Sequence, residues 1–407
     1  MRILQVSTAD HAGGAERIAW NLLHSYRSRG LDSWLAVGYK RSQDPSVFEI
    51  PANARWLRRL RRLPDLISGS ESFCFPGTAE LLRMAPKRPD VLHCHNLHGN
   101  YFDLSMLPWL SSQIPVFLTA HDAWLTTGHC AHSLACDRWK NGCGKCPDLT
   151  IYPRILRDGT AGNWRRKQQI YANSRVRIAT PSQWLMDKIN NSMLLPAALE
   201  RRVIPNGVDL TVFSPGDPLR ARETLGLPID DHILLFLAYR NKGAAWRDHI
   251  TIKNAVQKLS DRNLGRSLTC VVVGKELLPE EFDGIKVRQF PQVEDEHVMA
   301  DLYRAADIYL HATLADTFPN TVLESQACGI PVIATRVGGI PEQIINEATG
   351  ILTPVQNSEA MAVAIAGLLE NNALRKQMGQ QAAEHARARF GLDRQAGSYL
   401  EWYREAI

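Results

Sequence analysis

Two carboxylates, Asp316 and Glu324, stand eight residues apart in "DTFPNTVLESQACGIPVIAT". The first falls in a loop after the apolar run "DIYLHA", which ends near Ala312. Pro319 suits the first turn of a helix, so Glu324 falls in the second turn and Gly329 stops the run. "PVIAT" then reads as a buried strand. Both acids therefore flank one helix N-terminus, on the side of an open α/β sheet where ligands bind. A helix N-terminus offers free N–H groups and the positive end of its dipole, which suit a phosphate. A carboxylate accepts hydrogen bonds from two neighbouring hydroxyls, as a ribose or hexose diol presents them. The pair suits a nucleotide sugar, with the diphosphate at the helix end and the acids on hydroxyls. A capping acid plus a solvated helix acid would account for the same spacing.

Other residues with chemical potential also fall at strand ends. Gly13 and Gly14 lie between the first strand and the first helix. They make either a plain tight turn or a place where a ligand approaches the backbone closely. The spacing is not G-x-G-x-x-G, so no dinucleotide fold is implied. His121 and Asp122 follow the apolar run "PVFLTA". A neutral His there could bind a sugar hydroxyl or carry a proton, or could be one of the structural histidines among the 13 in the chain. Gly274 and Lys275 close "VVVGK" at another strand end.

The elements that must position these residues are strands alternating with helices. Six apolar runs recur in the first half ("ILQV", "WLAV", "DVLHC", "PVFLTA", "VRIAT", "RRVIP"). Six more follow in the second half ("HILLFLAY", "LTCVVVG", "IKVRQF", "DIYLHA", "PVIAT", "GILTP"). Alternation of this kind gives parallel sheets covered on both faces. The runs are too many for one compact sheet at 407 residues, so two doubly wound α/β domains are expected. The seam lies in "IPNGVDLTVFSPGDP", which is rich in turn residues. We place the first domain at 1–205, the second at 206–390, and a terminal helix at 391–407 that returns to the first. Hydrophobic residues at 45% and charged residues at 22% are an ordinary globular mix. No apolar run is long enough to span a membrane. "MRILQVST" reads as a strand, not a signal peptide, and a cytoplasmic location is expected.

The stretch around Asp316 resembles the acid-x7-acid motif of the family 4 glycosyltransferases, retaining enzymes with the GT-B fold. The usual pattern is Glu-Gly-Phe/Pro, a helix, Glu, then Gly-x-Pro-Val. Asp316 stands in the first Glu position and Thr317 replaces the Gly. Phe318, Pro319, Glu324, Gly329, Pro331 and Val332 fit. "STADHAGGAERIAWNLL", "TAHDAWLTTGHC", "TPSQWLMDKI", "VIPNGVDLTVFSP" and "RVGGIPEQIINEATGILTP" are similar to further segments of the family, so the resemblance covers nearly the whole chain.

The resemblance implies a GT-B glycosyltransferase that moves a sugar from a nucleotide-diphosphate sugar to a hydroxyl of a glycan or lipid-linked glycan. Surface polysaccharide or lipopolysaccharide biosynthesis is the expected setting. It implies transfer with retention, no catalytic metal and no cofactor. By the same resemblance, the leaving phosphate itself would take the acceptor proton. His121 would lie beside the transferred sugar, with Asp122 close by. Gly13 and Gly14 would face the diphosphate and the acceptor. Asp316 would hold hydroxyls of the sugar and Glu324 the ribose diol. Thr317, Phe318, Pro319, Asn320 and Thr321 would form the phosphate-binding helix end. Gly274 and Lys275 would line the base. Two cations must offset charge on the leaving diphosphate. Arg240 fits the family's Arg position. Trp246 occupies the usual Lys position, so Arg247 is taken as the second cation, with Lys242 in reserve. Within the fold, the rival is a nucleotide-sugar epimerase; outside it, a non-catalytic sugar-nucleotide-binding protein.

Two segments stand apart from this motif. Residues 1–190 hold 25 Lys+Arg against 15 Asp+Glu, and five of the Arg fall in "RWLRRLRRLPDLI". Residues 55–63 suit an anionic membrane surface at its inner face, or simply a solvated basic helix; no nucleic-acid module is visible. "HCAHSLACDRWKNGCGKCP" holds Cys130, Cys136, Cys143 and Cys146, with His129 and His132 nearby. Structural zinc, two reversible disulfides and four packing thiols compete for it.

Overall fold

The computed structural model describes residues 1–11, 13–51, 67–71, 75–238, 246–260, 262, 264–274, 281–282 and 284–407. Arg240, Lys242, Lys275 and the basic stretch 55–63 lie outside the described residues. The chain forms two units, Met1–Pro205 with Gln395–Ile407, and Asn206–Arg394.

The first unit is built on β1 (Arg2–Ala9), β2 (Asp32–Tyr39), β3 (Val47–Glu49), β4 (Val91–His95), β5 (Val116–Thr119), β6 (Val176–Thr180) and β7 (Ala198–Val203). Their spatial order is β3-β2-β1-β4-β5-β6-β7, and every pairing is parallel. The order reverses between β1 and β4, where Gln5 pairs with His93. Such a switch point opens a crevice at the carboxyl ends of the strands. Helix α1 (Gly14–Ser28) buries Ala15, Ile18, Ala19, Leu22, Leu23 and Tyr26, the face that its apolar period demands.

The second unit repeats the plan. Its strands are β8 (His232–Ala238), β9 (Leu268–Gly274), β10 (Glu281–Phe282), β11 (Ile285–Phe290), β12 (Ile308–His311), β13 (Val332–Thr335) and β14 (Gly350–Thr353). They run in the order β10-β11-β9-β8-β12-β13-β14, parallel except for the β10–β11 pair. Its switch point lies between β8 and β12. All twelve expected strands are present. The two additional ones, β3 and β10, are edge strands of three and two residues, too short to leave a periodic signal.

The last helix (Leu392–Ala406) belongs to the first unit from Gln395 onward. It buries Gln395, Ala396, Tyr399, Leu400, Trp402 and Tyr403, a helical stripe facing the sheet. Trp402 Nε1 donates to Glu200 Oε2 at 2.7 Å, and Arg202 forms an ion pair with Glu405. No helix among the described residues is long and apolar enough to cross a membrane.

Candidate functional site

In the second unit, the chain leaves β12 and reaches Asp316 through a braced loop. Thr313 Oγ1 lies within hydrogen-bond distance of the carbonyls of Trp246 (2.8 Å) and Ala315 (2.9 Å), to one of which its single proton is donated, and Leu314 N donates to Trp246 O (2.6 Å). An isolated antiparallel bridge pairs Arg247 with Thr313. Arg247 is thus fastened beside the loop that carries Asp316. Its Nε is buried and has no hydrogen-bond partner among the described residues. A buried guanidinium nitrogen without an acceptor is unfavourable unless a ligand supplies one.

Asp316 Oδ2 lies 3.5 Å from Nε2 of His311. Its backbone is clamped from the β13 side. Gly339 N donates to Asp316 O at 3.1 Å, and a Cβ on Gly338 would meet that same oxygen at 1.8 Å. Gly338 also has φ +60°, which glycine adopts without strain. The "VGG" stretch therefore exists to let one loop lie against the other.

The helix after this loop, α2 (Asn320–Ala327), starts one residue later than expected, with Pro319 at its cap position and no side chain capping its N–H groups. Those first-turn donors and the dipole make this end suited to an anion. Glu324 sits in the second turn and is buried, at 8% exposed. Its Oε2 accepts a 2.9 Å hydrogen bond from Tyr303 Oη. Asn206 Nδ2 donates to Phe318 O (3.2 Å) and Asn320 Oδ1 (2.9 Å), and Gln343 Nε2 donates to Pro319 O (3.0 Å). These bonds fix the entry to the helix. The Phe318 side chain packs on Phe390 in the core, so that residue offers the loop only backbone. Thr317 is buried, and its Oγ1 has no hydrogen-bond partner among the described residues. Thr321 is half-buried on the first turn. Gly274 ends β9 with φ +141°.

In the first unit, the candidate residues gather where β1, β4 and β5 end. His95 Nδ1 lies 3.0 Å from His121 Nε2, and His95 Nε2 lies 3.1 Å from Gln5 Oε1. Burial pulls His121 down to about 4, so its ring is neutral at pH 7. Asp122 has both carboxylate oxygens engaged inside the loop: Oδ1 accepts from Trp124 N (2.9 Å) and Oδ2 from His98 Nε2 (2.7 Å). Asp122 is therefore placed to shape this loop. Burial works against charging His98, but Asp122 and Glu16 outweigh it and raise its pKa. Gly13 caps α1 in extended conformation, and the space a Cβ would fill there is taken by the Glu16 carboxylate, 2.0 Å from that position. Burial pushes the Glu16 carboxyl up. Gly14 opens α1 and is exposed.

Behind this loop, Lys167 is fully buried. It pairs with Glu71 at 3.2 Å, lies 3.4 Å over the Trp124 ring and donates to Trp124 O (2.9 Å). The four cysteines follow in the same loop, each partly exposed with a free thiol. Burial pushes Cys130 to about 12 and Cys143 to about 11. Cys143 Sγ accepts Gly128 N at 3.3 Å. Among the described residues, no three His, Cys, Asp or Glu side chains are placed to hold a metal ion.

Several of these residues escaped the sequence reading. "HCH" in β4 carries a signal, because alternate strand residues share a face and His93 and His95 must lie together. Glu16 follows Gly13 at capping-box spacing. Tyr303 and Asn206 carry no local signal; each meets its partner only through the fold.

Residues 12–212 match the family described as Glycosyltransferase Family 4, and residues 225–385 the family described as Glycosyl transferases group 1. D-inositol 3-phosphate glycosyltransferase of Saccharomonospora viridis is 30% identical over 324 residues, covering 76% of this chain and 70% of that protein. Sucrose-phosphate synthase from Thermosynechococcus elongatus superposes with a TM-score of 0.71 at 20% identity, over 99% of this chain and 98% of that one. Anabaena Alr3699/HepE, solved with UDP-glucose, superposes with a TM-score of 0.68 at 17% identity, over 99% of this chain and all of that one. Matched in sequence along both units and in fold throughout, the chain belongs to the family 4 glycosyltransferases and carries their GT-B fold.

Proposed function

We propose that this glycosyltransferase takes a sugar from a nucleoside diphosphate sugar and transfers it, with retention and without a catalytic metal, to a hydroxyl acceptor. The observation that carries the reading is the α2 junction. Its uncapped N–H groups suit the diphosphate, buried Glu324 suits a ribose diol, and Asp316 suits hydroxyls of the transferred sugar. Arg247, whose Nε has no hydrogen-bond partner among the described residues, would stabilise charge developing on the leaving phosphate, alongside Arg240 or Lys242. His121 would contact the transferred sugar. The acceptor is a glycan or lipid-linked glycan of surface polysaccharide synthesis. The relatives named for D-inositol 3-phosphate make a small phosphorylated polyol the second acceptor to test.

Incubating the protein with UDP-, GDP-, ADP- and dTDP-sugars tests this reading. Each donor is paired with inositol 3-phosphate or a lipid-linked glycan, with and without EDTA. Release of nucleoside diphosphate that depends on acceptor and survives EDTA is expected. No release with any pair would overturn it. NMR of the product's anomeric proton reads retention directly.

A further inference from the structure

The hydrogen-bond chain Gln5–His95–His121 has a consequence for how His121 meets a ligand. Gln5 and His95 are both fully buried, on β1 and at the end of β4. The Gln5 amide turns its carbonyl oxygen to His95 Nε2, 3.1 Å away, and a carbonyl oxygen only accepts, so in this orientation His95 Nε2 carries the proton. A neutral imidazole has one N–H, so His95 Nδ1 is then the acceptor. Across 3.0 Å it faces His121 Nε2, which must donate. That leaves His121 Nδ1 without a proton. Nδ1 makes no hydrogen bond to any described residue, and the ring is only half-buried, unlike those of His93 and His95. The rings also pack together: the His95 centroid lies 5.3 Å from that of His121, with the rings nearly parallel, and 4.1 Å from that of His93, with the rings tilted. His93 is pinned in turn by Tyr403 (2.5 Å) and Thr119 (2.7 Å), and Thr119 bonds Tyr399 (2.8 Å).

We propose that Gln5 and His95 are positioning residues that lock His121 into a single tautomer, protonated on Nε2. Nδ1 then accepts a hydrogen bond from a hydroxyl of the bound sugar. This rests on the reading that His121 faces the transferred sugar. The alternative polarity, with the Gln5 amide nitrogen donating to His95, would put the His121 proton on Nδ1 and make the ring a donor to the ligand.

Long-range 1H–15N correlation on the full chain, labelled with 15N-histidine at pH 7, separates the two. His121 is assigned by its loss in His121→Asn. The expected pattern is one neutral tautomer with the proton on Nε2. Gln5→Met, which keeps the volume and removes the acceptor, should add signals of the second tautomer. His95→Asn, whose amide oxygen reaches about as far as Nδ1, should retain the wild-type pattern, whereas His95→Leu should lose it. Unchanged circular dichroism checks that each variant folds. A proton on Nδ1, an even mixture in the wild type, or a Gln5→Met spectrum like wild type would overturn the proposal. The spectra need no donor, so they decide the relay independently of the donor panel that decides the function. Once a donor is found, Gln5→Met should lower kcat about fivefold with donor KM little changed, as expected for a misaligned contact made in the transition state.

Discussion

Tyr303 Oη donates to Glu324 Oε2 across 2.9 Å, and both side chains are buried. The phenol comes from helix α3 (Glu296–Ala305), packed beside the helix that carries the acid. One carboxylate oxygen is thus held by the protein, which fixes the direction in which the other can act. Removing the hydroxyl in Tyr303→Phe leaves a buried acceptor short of a donor, worth about 1–3 kcal/mol. The expected result is a several-fold rise in donor KM with a small drop in melting temperature. Glu324→Gln should weaken donor binding more, because charge-assisted hydrogen bonds contribute about 1.5–3 kcal/mol. Steady-state kinetics on both variants checks the order. A donor KM unaffected by Glu324→Gln would remove the diol assignment.

Arg247 is bridged to Thr313 through its backbone, and its Nε has no acceptor among the described residues. A cation waiting for charge that develops late should appear in kcat more than in KM. Arg247→Ala is expected to lower kcat by at least about tenfold, or 1.4 kcal/mol. Arg247→Lys should recover only part of this, since a point charge does not reproduce the guanidinium fork. Equal effects on kcat and on donor affinity, measured by calorimetry, would assign Arg247 to ground-state binding instead.

Gly338 reports on the Asp316 loop through its backbone, without altering either carboxylate. A Cβ there would stand 1.8 Å from Asp316 O, at a φ of +60°. Left-handed backbone costs a non-glycine residue about 1–2 kcal/mol, before the clash is counted. Gly338→Ala is expected to displace the loop and lower both melting temperature and kcat. Asp316→Glu should be milder than Asp316→Ala, because it keeps the carboxylate. Should Gly338→Ala behave like wild type in both assays, the clamp on Asp316 is not what holds it.

The sequence carried most of the second-unit site because its parts are local. A strand, a loop and a helix in one continuous segment bring Asp316, Pro319 and Glu324 together, and helix-start chemistry marks the junction. It carried the first unit less well. His121 and Asp122 could be placed at a strand end, yet their partners come from elsewhere. His98 follows β4, Gln5 lies on β1, and the tyrosines behind His93 arrive on the last helix, 310 residues along the chain in the case of Tyr403. Strand order decides these meetings, and β1 neighbours β4 only because the sheet switches direction there. Asp122 shows the result. Its position suggests a ligand contact, and the fold adds hydrogen bonds to it from His98 and from the Trp124 amide.

That Asp122–His98 pair makes stability depend on pH in a known direction. His98 is raised above its ordinary 6.5, chiefly by Asp122 against the cost of burial. Its contribution is full below about pH 6.5 and is lost as pH rises through the folded pKa. Asp122 is lowered beneath 3.8, largely by His98 against burial, so its share is present above that value and lost as pH falls through its folded pKa. The pair therefore stabilises between those limits. His121, at about 4, and His93, at about 3, work the other way, since they remain neutral in the fold and favour unfolding as pH drops below 6.5. His98→Gln isolates the first effect. The melting-temperature difference between wild type and this variant should shrink from pH 6 to pH 9. A difference that is flat or grows across that range would mean His98 is not held as a cation.

Lys167 offers the sharpest test of how the loop after β5 is held. Its ammonium is fully buried among Glu71, the Trp124 ring and the carbonyls of Trp124 and Thr127. Burial lowers its pKa and Glu71 resists that fall, so the pair survives by mutual compensation. Glu71 also accepts from Trp124 Nε1 at 2.8 Å, which ties Trp124 from both sides. Removing one member of such a pair leaves the other charge buried alone, at a cost of about 3–5 kcal/mol. Lys167→Met should approach that loss. Adding Glu71→Gln removes the orphaned charge while keeping an acceptor for Trp124, so the double variant should be more stable than Lys167→Met alone. Urea unfolding of the two single variants and the double variant measures the coupling. Losses that simply add would mean that the two charges do not depend on each other. A recovered double variant would leave the loop beside His121 intact, and its acceptor KM should then stay near wild type while Lys167→Met raises it.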